Sequence, residues 1–225
     1  MSTSFNFPLV AEATTGYFEA HPMTSSPMEI DRTMLCKPVS YAAIQQHPVC
    51  TRFFSSNQFT VSVRLLCLGT DLPVIYNWLP WRFTRFMKKD AHIRHLNETY
   101  NCIAESSSVQ SFFVQINEAA AAQVDIHHAV QDDISSYYDA QPGDYRLQLL
   151  MDPEKENNQE WTLGIFQTCQ DFFFAFTEVE RLLMVIEDDC NLNGALEKAG
   201  FTLEAQIIMP GKKARLFRCG RKIVA

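Results

Sequence analysis

No stretch of this sequence reaches the roughly 18 consecutive apolar residues that a membrane-spanning helix needs, so a bilayer span is excluded. The seven cysteines (Cys36, Cys50, Cys67, Cys102, Cys169, Cys190, Cys219) are odd in number, widely spaced and without a C-x-x-C pair. That pattern argues against a disulfide framework or a thiolate metal site, and predicts reduced, mostly buried thiols. Positive charge is also scarce: 19 Lys and Arg stand against 26 Asp and Glu, a formal net charge of −7. With no basic stripe to neutralise phosphates, the charge argues against nucleic acid as a partner, and the small cluster Arg82, Arg85, Lys88, Lys89 reads as a solvated helix face. The opening MSTSFNFPLVAEATTG lacks the basic segment and apolar core of a signal peptide, so a cytoplasmic location is expected. His92 and His95 share a helix face but have no third ligand near them, and no metal is expected.

What is present is globular: 47% hydrophobic and 20% charged residues over 225 positions. A chain of this length buries roughly 70% of its unfolded surface, enough for one large domain or one domain and an arm. Residues 1–56 read as an N-terminal extension, because 19–27 is rich in Pro, Ser and Thr and has no period; residues 57–225 read as the domain. In the domain, the alternating FTVSVRLLCL predicts a strand ending at Gly69, and Thr70 or Asp71 caps a helix through Leu79, with Pro73 in its first turn. A helix over 91–105, hairpin strands over 111–117 and 121–130, and a helix over 161–176 follow. A strand over 181–186, a helix over 192–199 and strands over 201–209 and 214–219 complete a mixed α/β sheet with helices on both faces. The aromatic string Phe172, Phe173, Phe174, Phe176 is expected to be a buried helix end.

The chain is organised around residues 132–163. A polar, turn-rich segment runs into the apolar strand 147–151, which stops at Asp152-Pro153; a polar loop follows, and a helix opens at Glu160 or Trp161. Strand, loop and helix start in that order place free backbone N–H groups at a sheet rim, where an anion can sit. In the strand before it, Val124, Ile126 and His128 face one way and Asp125, His127 and Ala129 the other.

The run DDIxxYYDAxPxD, the strand, the K-x-N loop and the helix resemble the lysine N-acyltransferases of siderophore biosynthesis (mycobactin and aerobactin type), a branch of the GNAT acyltransferases. The later elements Glu187-Asp188-Asp189, Ala199-Gly200-Phe201 and Pro210-Gly211-Lys212-Lys213-Ala214-Arg215-Leu216 are spaced similarly. The resemblance covers residues 58–221. It implies a GNAT-like fold, acetyl-CoA or another acyl-CoA as cofactor, and transfer of the acyl group to a lysine-like or N-hydroxylated amine. It places CoA contacts at Met151, Asn157, Asn158, Gln159 and Trp161, and acceptor contacts at Trp81, Asp125, Tyr138 and Asp144. Trp78 and Trp81 fit core packing equally well. The catalytic histidine of the family falls on Gln148, and its companion acid on Asp189, or on Glu187 if the register slips.

This sequence departs from the family where the chemistry lies. Gln148 can orient by hydrogen bonding but cannot take a proton, so the base is expected at Asp189, His127 or His128, with Asp125 as a further replacement. Asp189 has capping of the helix after it as an equal alternative. The family's N-x-G-x-G falls on Asn157-Asn158-Gln159-Glu160-Trp161, where both glycines are gone and Glu160 adds a charge of the wrong sign for a pyrophosphate. Three functions therefore stay open: an acyl-CoA-dependent N-acyltransferase, a GNAT-like binding or regulatory module without CoA chemistry, and an assembly protein using its N-terminal arm. The oligomeric state is not addressed by any of these features.

Overall fold

The computed structural model describes residues 35–36, 47–79, 89–187 and 192–221. They build one eight-stranded sheet, β1 (Cys50–Phe54), β2 (Phe59–Leu65), β3 (Val109–Ile116), β4 (Ala119–His128), β5 (Asp144–Met151), β6 (Arg181–Glu187), β7 (Thr202–Met209) and β8 (Lys212–Gly220), in the order β1-β2-β3-β4-β5-β6-β8-β7. Four helices accompany it: α1 (Leu68–Trp78), α2 (Lys89–Glu105), α3 (Gln159–Phe173) and α4 (Asn193–Lys198). Among the described residues no helix is long and apolar enough to cross a membrane.

Residues 50–54, inside the expected extension, are the sheet's edge strand: Cys50 and Phe54 are buried, and Phe54 stacks on Phe59 across the hairpin at 4.8 Å. The turn between β3 and β4 is tighter than the expected three residues. Asn117 and Glu118 both adopt positive φ (48° and 66°), the backbone of a two-residue hairpin whose twist matches the strands. Asn117 suits that conformation and locks it by accepting from the Thr60 N–H at 2.8 Å.

Every neighbouring pair is antiparallel except β5 and β6, which run parallel. Alternation then separates two faces. One face carries Val61, Val124, Ile126, Leu147 and Leu182 against α3 and α4, and holds the largest core. Gly164 permits that contact, since a Cβ there would sit 2.8 Å from the Phe59 ring. The expected Phe172, Phe173 and Phe176 helix end lies in this core. The opposite face carries two separate apolar clusters. One packs Leu66, Phe113 and Leu150 against α1 and α2 and includes Trp78, stacked on Phe113 at 5.7 Å; the other packs Leu183, Leu216 and Ala214 under Ile134 and Ala129. Polar residues fill the ground between them.

Candidate active site

The ground between the clusters lies where the sheet divides. Pairing of β5 with β6 ends at Leu147 and Met184, yet β5 stays on β4 as far as Met151 and Ala122, and β6 stays on β8 as far as Glu187 and Ala214. Past Leu147 the two parallel strands diverge. Among the described residues the facing backbone edges of 149–151 and 185–187 have no strand partner, so N–H and C=O groups line a gap.

On the face opposite α3, the strands bring Ser111, Gln123, Asp125, His127, Arg146 and Gln148 together, with Asp125 level with Gln148 and His127 level with Arg146. A 3-10 turn over Asp133–Ser136 lowers Asp132 onto this group, with the Asp132 side chain capping the turn by accepting from the Ile134 N–H at 3.0 Å. Asp132 then receives Arg146 Nε at 3.0 Å and Nη2 at 2.7 Å, a bidentate pair, and faces His127 Nδ1 at 3.1 Å. Burial works to raise the Asp132 carboxyl, but the His127 hydrogen bond and the Arg146 guanidinium outweigh it and hold the group well below the usual carboxylate range. An anion fixed against Nδ1 keeps the ring proton there. The other ring nitrogen, His127 Nε2, is buried and has no hydrogen-bond partner among the described residues. A neutral imidazole so oriented presents a lone pair to the site and can take a proton.

Asp125 is buried two residues before His127 on the same strand and face. One of its oxygens accepts from both Ser111 and Gln123, and among the described residues it has no ion-pair partner. Desolvation pushes its carboxyl above the ordinary range, against the pull of His127 and its hydrogen bonds. Gln148 accepts from Arg146 Nη1 at 3.0 Å through Oε1.

The other expected residues are placed as follows. His128 lies on the opposite face, its ring 5.2 Å from that of Tyr145 and its Nε2 2.9 Å from the Pro142 carbonyl. Tyr138 and Asp144 contact each other at 3.0 Å in a clamp where Asp144, fully buried, also receives the Gln141 N–H and the Arg181 guanidinium. Met151 packs into the large core with Thr162 Oγ1 3.8 Å from its sulfur. At the start of α3, Asn158 Oδ1 accepts from the Glu160 and Trp161 N–H groups at 3.1 and 3.2 Å, so two donors expected to be free for an anion are engaged by a side-chain cap. The Glu160 carboxylate is held by Asn57. Glu187 pairs with Lys212. Asp189 and Trp81 lie outside the described residues. Among the described residues no group of three His, Cys, Asp or Glu is placed to hold a metal.

Asp132 and Arg146 carry no periodic signal and were not expected in the site. The one hint is the acidic pair Asp132-Asp133 ahead of the YYDA turn.

A family model described as an acetyltransferase (GNAT) domain matches residues 68–209. No curated protein matches the sequence. Among solved structures, the chain is similar to an uncharacterised Bacillus halodurans protein (16% identity, 76% of this chain and 89% of that one, TM-score 0.65). It is also similar to the aminoglycoside acetyltransferase AAC(6')-Ib in complex with ribostamycin and coenzyme A (17%, 72% and 93%, 0.60). A third is a spermidine N-acetyltransferase chimera made in part from Vibrio cholerae (15%, 71% and 95%, 0.53). At these identities the likeness is one of fold.

Proposed function

Because the chain belongs to the GNAT acetyltransferase family, we propose that it is an acyl-CoA-dependent N-acyltransferase whose acceptor is a lysine-like or N-hydroxylated amine of the kind used in siderophore biosynthesis. One observation carries the reading: the buried His127 Nε2, unpartnered among the described residues, with Asp132 behind it, beside the point where β5 and β6 part. The amine nitrogen attacks the thioester carbonyl carbon, its proton passes to Nε2, and collapse of the tetrahedral adduct expels the CoA sulfur, which receives that proton. The edges of 149–151 and 185–187, without a strand partner among the described residues, offer backbone partners to the amides of a pantetheine arm. Fold relatives named for amine acceptors, an aminoglycoside and spermidine, agree with an amine substrate.

The start of α3 favours a second reading, a GNAT-like module without CoA chemistry. A pyrophosphate there must displace the Asn158 cap and face Glu160. Calorimetry with CoA separates the two. Saturable binding, strengthened when Gln159→Gly, Glu160→Ala and Trp161→Gly clear the loop, supports the enzyme; no binding by either protein supports the module. For the enzyme, His127→Ala should cut acyl transfer about 10²–10⁴-fold, the range of a lost general base, with the melting temperature little changed. An unchanged rate would remove His127 from the chemistry.

A further inference from the structure

The described residues supply a base for the amine that reacts, but they also contain a carboxyl that this chemistry does not use. Asp125 is 8% exposed and shares a strand and a face with His127, and no cation among the described residues pairs with it. Its orientation is fixed, because Ser111 and Gln123 both donate to the same oxygen and leave the other without a described donor. The one nearby guanidinium, Arg146, is already held bidentate by Asp132. A desolvated carboxyl in such surroundings is costly as an anion until a cation arrives, and a cation arriving there meets little competition from water.

We propose that Asp125 is the anchor for a second ammonium group on the acceptor, so that the site takes a diamine-type substrate: one amine at His127 Nε2 and one at Asp125. This inference rests on the acyltransferase reading for the first amine only. Two residues of strand set the two side chains about 7 Å apart, a span bridged by an aliphatic chain of roughly four or five methylenes. Between them the acceptor would lie across the level of Gln148 and Arg146.

The test compares 1,5-diaminopentane with pentylamine, which differ by the second amine alone. In the wild-type chain the diamine should show kcat/KM about 10–100-fold above the monoamine, the value of a charge-assisted hydrogen bond in a desolvated site. Asp125→Asn, which keeps shape and donors' partners, should bring that ratio close to one. Shortening the diamine to three methylenes should lose the advantage as well, a result that needs no variant to fold. Equal turnover of the two amines by the wild type overturns the proposal. So does an Asp125→Asn variant that loses activity on both in proportion, the mark of a purely structural role. Calorimetric binding of the diamine that Asp125→Asn removes supports the proposal even where no amine is acylated, and that outcome counts against the acyltransferase reading alone.

Discussion

Two of the buried aspartate–arginine pairs on one face of this sheet, those that involve β5, differ in whether their hydrogen bonding closes. At the start of β5, Asp144 receives Arg181, the Tyr138 hydroxyl and the Gln141 N–H, and nothing in the clamp is left over. Next to it, Asp132 receives Arg146 and the Ile134 N–H in the same manner, but its third neighbour is a histidine whose far nitrogen has no partner among the described residues. A closed network holds strands together. An open one, buried among apolar clusters, holds a reactive group ready. Tyr138 registers the difference: burial first, then the adjacent Asp144 carboxylate, drives its hydroxyl far above the ordinary phenol range, so it stays a hydrogen-bond donor at any ordinary pH.

Breaking the closed pair should have the largest effect on stability. Asp144→Ala strands the Arg181 guanidinium and two further donors, and should cost about 3 kcal/mol, the low end for a broken buried pair since Arg181 is 27% exposed. Urea titration would show it as a lower midpoint at constant slope; an unchanged midpoint would mean the clamp is not structural. The open pair should show itself through acid. Asp132 is held below its unfolded value, so its contribution to stability is present above the ordinary aspartate range, about pH 3.9, and is lost as pH falls through and below it. Melting temperature against pH from 6 to 3 should therefore fall less steeply for Asp132→Asn than for the wild type; parallel curves would reject the assignment. Asp125 has the opposite sign, because burial favours its protonated form, and its contribution fades as pH rises. The smallest effect should come from Gln148→Ala. Glutamine has no proton to exchange, and acyl transfer should change by only a few-fold, well under the 10²–10⁴-fold expected of a base. A loss as large as that of His127→Ala would make Gln148 the group that acts on the reacting atoms.

Much of the architecture is legible in local chemistry. The alternation in β2 and β4 and the apolar runs of β5 and β6 declare themselves within a few residues of chain. The start of α1 does not: the helix opens at Leu68 after Cys67, ahead of the Thr70 or Asp71 cap expected, and Pro73 lies inside it and not in its first turn. β1 does not, because CTRFF is short, follows a segment with no period and becomes a strand only by pairing with β2. The site is readable in part. His127 is visible as a polar residue on the correct side of its strand, and Asp125 likewise. Asp132 is not, since a 3-10 turn brings it over β4 from a position five residues beyond His127, and no spacing rule encodes that fold-back. The Asn158 cap is a signal of a familiar type, an asparagine just before a helix, but its meaning for the cofactor appears only when its two hydrogen bonds are seen to occupy the donors in question.

The point where β5 leaves β6 also bears on how the molecule assembles. Five strands, β1 to β5, are joined by antiparallel neighbours, most of them close in sequence; β6, β8 and β7 form a second antiparallel group. The seam between the groups is a short parallel stretch, Asp144 to Leu147 against Arg181 to Met184, closed only after the chain has passed through α3. Such a crossover pairing is expected to form after the local hairpins, while one core of Val61, Val124, Leu147, Leu182 and Phe217 runs beneath both groups and ties the two units together. A ligand lying in the gap would bridge both units, and amide exchange along β6 would slow on binding more than exchange along β2.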